Sequence, residues 1–546
     1  MADSKEAAVS AVSVQPSSAV STDGELTVHG HDGGHHLHFA QRGAEVDLAT
    51  VGASTDADID GYDAARMRAR SALTAAEEKK LMRRVDVRMM ILCSLIFLIK
   101  NLDSANLSNA RIMNAGTPRN IMAQLQLTSD EYSLLTVLYY VPYIVLEAPS
   151  NLLLKRARPS VWQARIIVSW GIALLCHVPV RNKGGIYATR FLLGLFEAGM
   201  FPGVILQMTY WYRPDEMSIR LLYFYCLGSF SGIISGLLAY GFDYASGHGG
   251  LSGWQWLFLV EGIVTVLIGI AIYFLLPDFP DTAKWLTPRE KAFIQARLPP
   301  NAPRADELNF NLRELTAALR DSRLWLFTFI WAFFTVGTSG VSFFQPTVIA
   351  NLGYTTIAQA QLLNLPVSIL SIVLIALTGY FADKSRLPRP VYPLTVYAIV
   401  LACYGVMVAY PSDGGVYAAT LIGNSVSATF YPLMWPWRVQ TTAHATGSAF
   451  SIGFVNSYGQ IGGAIGPQIF RAKYAPRYRQ SFTAAMACVA GGVVVTLLTW
   501  WVTRRTERDT RMLKRARLTA SKKGMTVLED VVDHDVGAKN SDNDSL

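Results

Sequence analysis

The chain has 546 residues, of which 51% are hydrophobic and only 16% charged, and it carries a net charge of +8. Charged residues make up about 25% of an ordinary soluble chain, and the mean hydropathy of +0.26 adds to an apolar balance that excludes a soluble multidomain protein. The basic residues gather at the ends of apolar runs, so the positive charge points to membrane topology and not to nucleic acid.

Met1 to about Ala75 is rich in Ser, Gly, His and Asp. It lacks the apolar stretch of a signal peptide and reads as a disordered tail. Five of the nine histidines fall here (His29, His31, His35, His36 and His38), and they read as solvated tail residues more than as a metal site. The segment Glu77 to Arg88 then turns helical and basic.

Twelve apolar runs follow, each about 20 residues, long enough to cross roughly 30 Å of hydrocarbon. They lie near Met89–Ser108, Ser133–Leu154, Trp162–Val180, Gly185–Tyr210, Leu221–Tyr240, Trp254–Leu276, Leu324–Phe344, Ala360–Ala382, Val391–Tyr410, Val416–Trp437, Ala449–Phe470 and Phe482–Val502. The predicted division is a tail over 1–85, a six-helix bundle over 86–276, a linker over 277–322, a second six-helix bundle over 323–502 and a tail over 503–546. Within the linker, Thr287-Pro288-Arg289-Glu290 is a capping box with Pro at the first helical position, so a helix starts there. Leu312, Leu315 and Leu319 give a second short amphipathic stripe at the inner membrane face.

Arg83, Arg84 and Arg88 precede the first run, Lys155, Arg156 and Arg158 follow the second, and Lys384, Arg386 and Arg389 follow the eighth. With an even number of spans these fall on one side, which places both termini in the cytoplasm of a multi-pass protein. Arg471, Lys473, Arg477 and Arg479 break the pattern between the last two runs. The cysteines Cys93, Cys176, Cys226, Cys403 and Cys488 all lie in apolar stretches without CxxC spacing. No disulfide framework, metal or cofactor is expected.

Charge inside hydrocarbon is costly, so each such residue is a functional candidate. Lys100 and Asp103 fall in span one, Glu147 in span two, Arg190 and Glu197 in span four and Glu261 in span six. Glu197 is two helical turns beyond Arg190 on the same face. Asp103, Arg190, Glu197 and Glu261 are expected to line one cavity, with carboxylates that exchange protons and an arginine that grips a carboxylate. Lys100 reads as snorkelling or as neutralising Asp103. Glu147, in Glu147-Ala148-Pro149-Ser150-Asn151, is expected to pair with basic loop residues as part of a gate. Small-residue runs, Gly228/Gly232/Gly236 in span five among them, provide smooth faces for close helix approach. The second half offers aromatic and neutral polar groups instead: Phe343-Phe344-Gln345, Asn424, Tyr431, Trp435, Trp437, Asn456, Ser457 and Gln460. Trp435 and Trp437 fit an interfacial belt, and Tyr431 and Asn456 are candidates for cradling an organic substrate.

Gly379-Tyr380-Phe381-Ala382-Asp383-Lys384 after span eight resembles the loop motif of the major facilitator superfamily, with Gly379, Asp383 and Lys384 in the gating positions. The corresponding loop after span two has Lys155 where the acid would stand. Pro149-Ser150-Asn151-Leu152-Leu153-Leu154-Lys155, Arg190-Phe191 through Gly203, Trp254 through Gly262 and Ala475-Pro476-Arg477-Tyr478 resemble the fungal allantoate permease family of anion:cation symporters. That family usually shows Leu-Asp-Arg before an Asn in span one; here Leu102-Asp103-Ser104-Ala105-Asn106 has Ser104 for the Arg. The resemblance implies an all-α membrane protein of twelve helices in two pseudo-symmetric bundles. It implies a proton-coupled transporter of a small organic anion such as a vitamin, carboxylate or ureide-type acid, working as a monomer in a fungal plasma membrane. Export of a secondary metabolite on the same scaffold is the alternative. An enzyme is not expected, because the spans hold only His177 and no nucleophile–base pair. The expected coupling and binding set is Asp103, Asn106, Arg190, Glu197, Glu261, Tyr431 and Asn456, and the expected gating set is Glu147, Asn151, Gly379, Asp383 and Lys384.

Overall fold

The computed structural model describes residues 25–28, 37–42, 69–154, 157–213, 216–298, 312–351, 362–384, 387–440, 445–475 and 477–527. His29, His31, His35, His36, Lys155, Arg156, Arg386 and Pro476 lie outside the described residues. The chain is built almost wholly of helices. Those of the first half are α1 (Ala75–Ile112), α2 (Ser129–Leu154), α3 (Pro159–Leu175), α4 (Lys183–Glu197), α5 (Met200–Thr209), α6 (Met217–Tyr244) and α7 (Gly253–Leu275). Two linker helices follow, α8 (Pro288–Arg297) and α9 (Leu312–Arg320). The second half has α10 (Ser322–Asn351), α11 (Leu365–Asp383), α12 (Val391–Ala409), α13 (Asp413–Ser427), α14 (Phe430–Gln440), α15 (Ala445–Gly459), α16 (Ile461–Ile469) and α17 (Arg479–Lys522).

These helices fall in order on the twelve predicted runs. Seven helical stretches among the described residues are, by length and composition, long and apolar enough to cross a membrane. Three predicted spans are each two helices in tandem: α4 with α5, α13 with α14, and α15 with α16. The first two breaks lie six spans apart, at equivalent places in the two halves. The predicted linker helix forms at α8, with its capping box intact: Glu290 N donates to Thr287 Oγ1 at 3.3 Å and Thr287 N to Glu290 Oε2 at 2.9 Å.

The two ends of the chain depart from the predicted tails. Within 1–85, strands β1 (Glu25–Val28) and β2 (Leu37–Gln41) form, and β3 (Met525–Val527) completes a three-stranded antiparallel sheet in the order β1-β2-β3. The last helix runs on to Lys522, well past the predicted boundary at Val502. The reason is a small separate unit of residues 1–83, 286–299 and 509–546. There Leu513, Ala520 and Val527 share a core, so the polar helix extension has something to pack on. Arg70 Nη2 reaches Leu298 O at 3.4 Å, and Arg297 pairs with Glu78 at 3.4 Å.

The larger unit, residues 84–285 and 300–508, contains both bundles. They meet along two seams. In one, α2 packs on α15 and α16; in the other, α6 packs on α11. Small residues set both. A Cβ on Gly379 of α11 would strike the Leu222 side chain of α6, and Gly453 of α15 leaves room for Ala148 and Asn151 of α2, where a Cβ would come within 3.3–3.4 Å. Asn151, Gly379 and Gly453 therefore sit on the surfaces that separate if the bundles move. Lys384 lies over the Tyr380 ring at 4.1 Å, at the C-terminal end of α11.

Gly199, between α4 and α5, has φ +92°, a conformation that costs a non-glycine residue about 1–3 kcal/mol. A Cβ there would also overlap the Ser150 side chain. Gly199→Ala is expected to lower the melting temperature of the detergent-solubilised protein and its yield on size-exclusion chromatography. An unchanged melting curve would show that the break between α4 and α5 tolerates a side chain.

Candidate functional site

The break after Glu197 places the buried charges. Asn182 caps α4 by accepting from Gly185 N at 2.7 Å, and α4 then runs inward with Arg190 and Glu197 on its buried face. Arg190 is 3% exposed and Glu197 2%. The Arg190 guanidinium lies over the Phe258 ring of α7 at 5.1 Å, and His177 stacks on the same ring at 4.9 Å. Arg190 Nε and Nη2 are buried with no hydrogen-bond partner among the described residues. Glu197 is hydrogen-bonded to Tyr139 of α2 and has Lys100 and Arg190 as charged neighbours.

Asp103 of α1 is also 2% exposed. Trp170 Nε1 donates to its Oδ2 at 2.7 Å, and Thr265 Oγ1 does so at 3.4 Å. Glu261 faces Asp103 and accepts from Asn106 Nδ2. Asp103, Arg190 and Glu197 together line a small pocket of about 90 Å³, with Tyr139, Tyr140 and Ser104 on its wall. The expected single cavity with four charged walls therefore becomes three charges on a pocket with a fourth behind them. Glu261 is held away by its own bonds to the first helix, one layer deeper than its height along α7 suggests.

A larger cavity of about 510 Å³ lies between the two bundles. That volume falls within the roughly 300–1,000 Å³ typical of small-molecule sites. Tyr143, Tyr225, Phe201 and Tyr431 are among the residues that line it, as are Gln345, Pro346 and Asn364. Trp435 packs behind Phe201, at 5.6 Å, and against Trp331, at 5.1 Å, centroid to centroid. Trp435 and Trp437 are 0% and 1% exposed, so they are core residues and not an interfacial belt. The break before Phe430 turns this short helix inward, and span-level hydropathy cannot show that. On the second-half wall, Asn424 Nδ2 donates to Gln345 Oε1 at 2.6 Å and Gln345 Nε2 to Asn364 Oδ1 at 2.8 Å.

Glu147 is fully buried. It accepts from Tyr143 Oη at 3.0 Å and, across the seam, from Asn456 Nδ2 of α15. The expected partner is a basic loop residue. The helix instead carries Glu147 a full turn inside the bundle, where the amide of Asn456 is the near donor. Lys100 also differs from expectation. It lines the large cavity, with Glu147 and Glu197 as its charged neighbours, while Asp103 accepts on Oδ2 from Trp170 and Thr265. The i, i+4 spacing of Lys100, Ser104 and Ser108 puts all three on one helix face, and that shared face is the sequence signal for the cavity wall. Nothing in the local sequence marks Trp170, Thr265 or the His177–Phe258 stack.

The sequence profile of the Major Facilitator Superfamily matches residues 102–467. The chain belongs to that superfamily. It is 30% identical over 448 residues to the major facilitator-type transporter hxnP of Emericella nidulans, covering 79% of this chain and 87% of that protein. It is 28% identical over 451 residues to the MFS-type transporter cnsO of Penicillium expansum, covering 80% of this chain and 85% of that protein. Among solved structures, the human organic anion transporter MFSD10 (TETRAN) superposes with a TM-score of 0.54 at 12% identity, over 75% of this chain and 99% of that one. A variant of the Escherichia coli fucose:proton symporter FucP gives 0.53 at 12%, over 76% and 98%. At these identities the solved structures speak to the fold alone. The fold is the all-α, two-bundle membrane architecture of the superfamily, and the chain is a multi-pass membrane transporter of small molecules.

Proposed function

We propose that this major facilitator moves a small organic anion together with a proton across a fungal membrane, by alternating access, as a member of the allantoate permease branch. The observation that carries the reading is the buried guanidinium of Arg190, whose Nε and Nη2 have no hydrogen-bond partner among the described residues, on the wall it shares with Asp103 and Glu197. A cation is otherwise expensive so deep in the bundle. Its value here is to attract an anion. One cation and two carboxylates leave an excess negative charge when both acids are ionised, and a proton removes it. Proton uptake then favours the anion, and by linkage the anion favours the proton to the same degree. The termini are cytoplasmic and the home membrane is the plasma membrane in this reading, following the basic residues.

The test is uptake of labelled organic acids into a transport-deficient yeast host, with the proton gradient intact or collapsed. Uptake that ignores the gradient would overturn the coupling. Net efflux from preloaded cells with no uptake in either state would favour the exporter alternative. Within the same assay, Glu197→Gln is expected to flatten the pH profile, because the amide mimics a permanently protonated acid. A pH profile like that of the unaltered protein would remove Glu197 from the coupling path.

A further inference from the structure

The charges and the space are in different places. The pocket that holds Arg190 is about 90 Å³, room for a carboxylate group but not for an organic molecule. The large cavity holds the space, and among the described residues lining it Lys100 is the one charged side chain. Most of the rest of its wall is hydroxyl, amide and aromatic, with a few small or aliphatic residues between. Tyr140, Tyr143, Tyr225, Phe334 and Tyr431 approach from both bundles, and Tyr225 and Tyr431 lie nearly parallel at 6.5 Å, 9° apart. Ser104 lines both spaces. Its hydroxyl is turned back on its own helix, donating to Lys100 O at 2.9 Å, and Tyr140, Ser339 and Phe343 also line both spaces.

We propose that Lys100 is the cation that directly receives the anionic group of the substrate in the large cavity, and that the surrounding tyrosines select a flat, aromatic monocarboxylate. The inference rests on the organic-anion reading above and assigns the residue and the substrate class within it. A single ammonium on a flexible stem accepts one carboxylate without demanding the two-point geometry of an arginine. Aromatic walls add stacking with a planar ring. The amides of Gln345 and Asn424 are occupied with each other and with Asn364, so neutral hydrogen-bonding groups on the ligand gain less there. Without substrate, Lys100 faces Glu147 and Glu197. A bound carboxylate competes with those acids for the ammonium, which ties occupancy of the cavity to the charge state of the seam and the side pocket.

The experiment uses the full chain in lipid nanodiscs and two matched pairs of probes: benzoate with benzamide, and indole-3-acetate with indole-3-acetamide. The readout is the concentration of each that half-saturates the rise in melting temperature. The carboxylates are expected to stabilise the unaltered protein and the amides to do so at least roughly 10-fold more weakly, the factor of one charge-assisted contact. Lys100→Gln should shift the carboxylate response by a factor of about 10 or more and leave the amide response unchanged. Lys100→Arg should retain the carboxylate response. The proposal is overturned if Lys100→Gln binds carboxylates like the unaltered protein, if Lys100→Arg fails as badly as Lys100→Gln, or if neither carboxylate stabilises the unaltered protein. In the yeast assay, organic-acid uptake that needs Arg190 but is indifferent to Lys100→Gln would sink this assignment alone. Absence of organic-acid uptake and efflux altogether would sink the function on which it rests.

Discussion

Arg190→Ala is expected to reduce organic-acid uptake by at least about 30-fold while the protein remains folded in the membrane. Truncating one member of a buried charge group costs about 2–5 kcal/mol, and each 1.4 kcal/mol is a factor of ten. The mechanism is specific. Asp103 and Glu197 keep their places through Trp170, Thr265 and Tyr139, so the pocket survives as a shape. What remains is a wall with two acids and no cation, which puts uncompensated negative charge beside the cavity that takes the anion. Arg190→Lys separates charge from shape. It keeps the positive charge but loses the planar stacking on Phe258, and intermediate uptake is expected. Initial rates over a range of substrate concentrations, normalised to membrane-inserted protein by size-exclusion fluorescence, decide the matter. Retained uptake in Arg190→Ala would remove the arginine from substrate recognition and leave it as a helix-packing residue.

Much of this site is legible in the sequence, and the reasons are physical. Arg190, Glu197, Asp103 and Glu147 are legible because hydrocarbon makes charge rare, so each one stands out alone. Their partners are not, because Trp170, Thr265, Tyr139 and Asn456 are ordinary residues in apolar helices. Depth along a helix can be counted, and this correctly puts Arg190 and Glu197 on one face. Azimuth between helices cannot, so counting places Glu261 on a wall when it lies behind Asp103. The tandem breaks at Ala198-Gly199 and Ala428-Thr429 are hidden inside continuous apolar runs. Gly199 gives a local hint for the first, and nothing comparable stands at the second. The chain ends escape for a different reason. Strands Glu25–Val28 and Met525–Val527 find their sheet partner far away in sequence, and composition reports only local tendencies.

Glu147→Ala is expected to loosen the seam between α2 and α15. Glu147 sits on the α2 side of one seam and accepts from Asn456 on the α15 side. Ala148 and Asn151, next to it, lie against Gly453 of the same helix. The seam thus carries a buried hydrogen bond beside a close backbone contact. Such bonds contribute about 0.5–1.5 kcal/mol, and losing this one leaves the Asn456 amide without that acceptor. The second seam, through Gly379 and Leu222, does not involve Glu147, so the loss in Glu147→Ala falls on α2 and α15. A cysteine at Ala148, 9% exposed, in a background lacking the five native cysteines, reports this directly. Labelling by a membrane-impermeant maleimide added outside inverted vesicles should speed up roughly tenfold in Glu147→Ala, the equivalent of about 1.4 kcal/mol in the opening equilibrium. Asn456→Ala should have the same sign and a smaller size, because Tyr143 still donates to Glu147. If Glu147→Ala leaves the labelling rate unchanged, the hydrogen bond across the seam does not hold the closed state. Packing at Gly453 would then carry that role, and Gly453→Val, which pushes a side chain into Asn151, would be the variant that opens it.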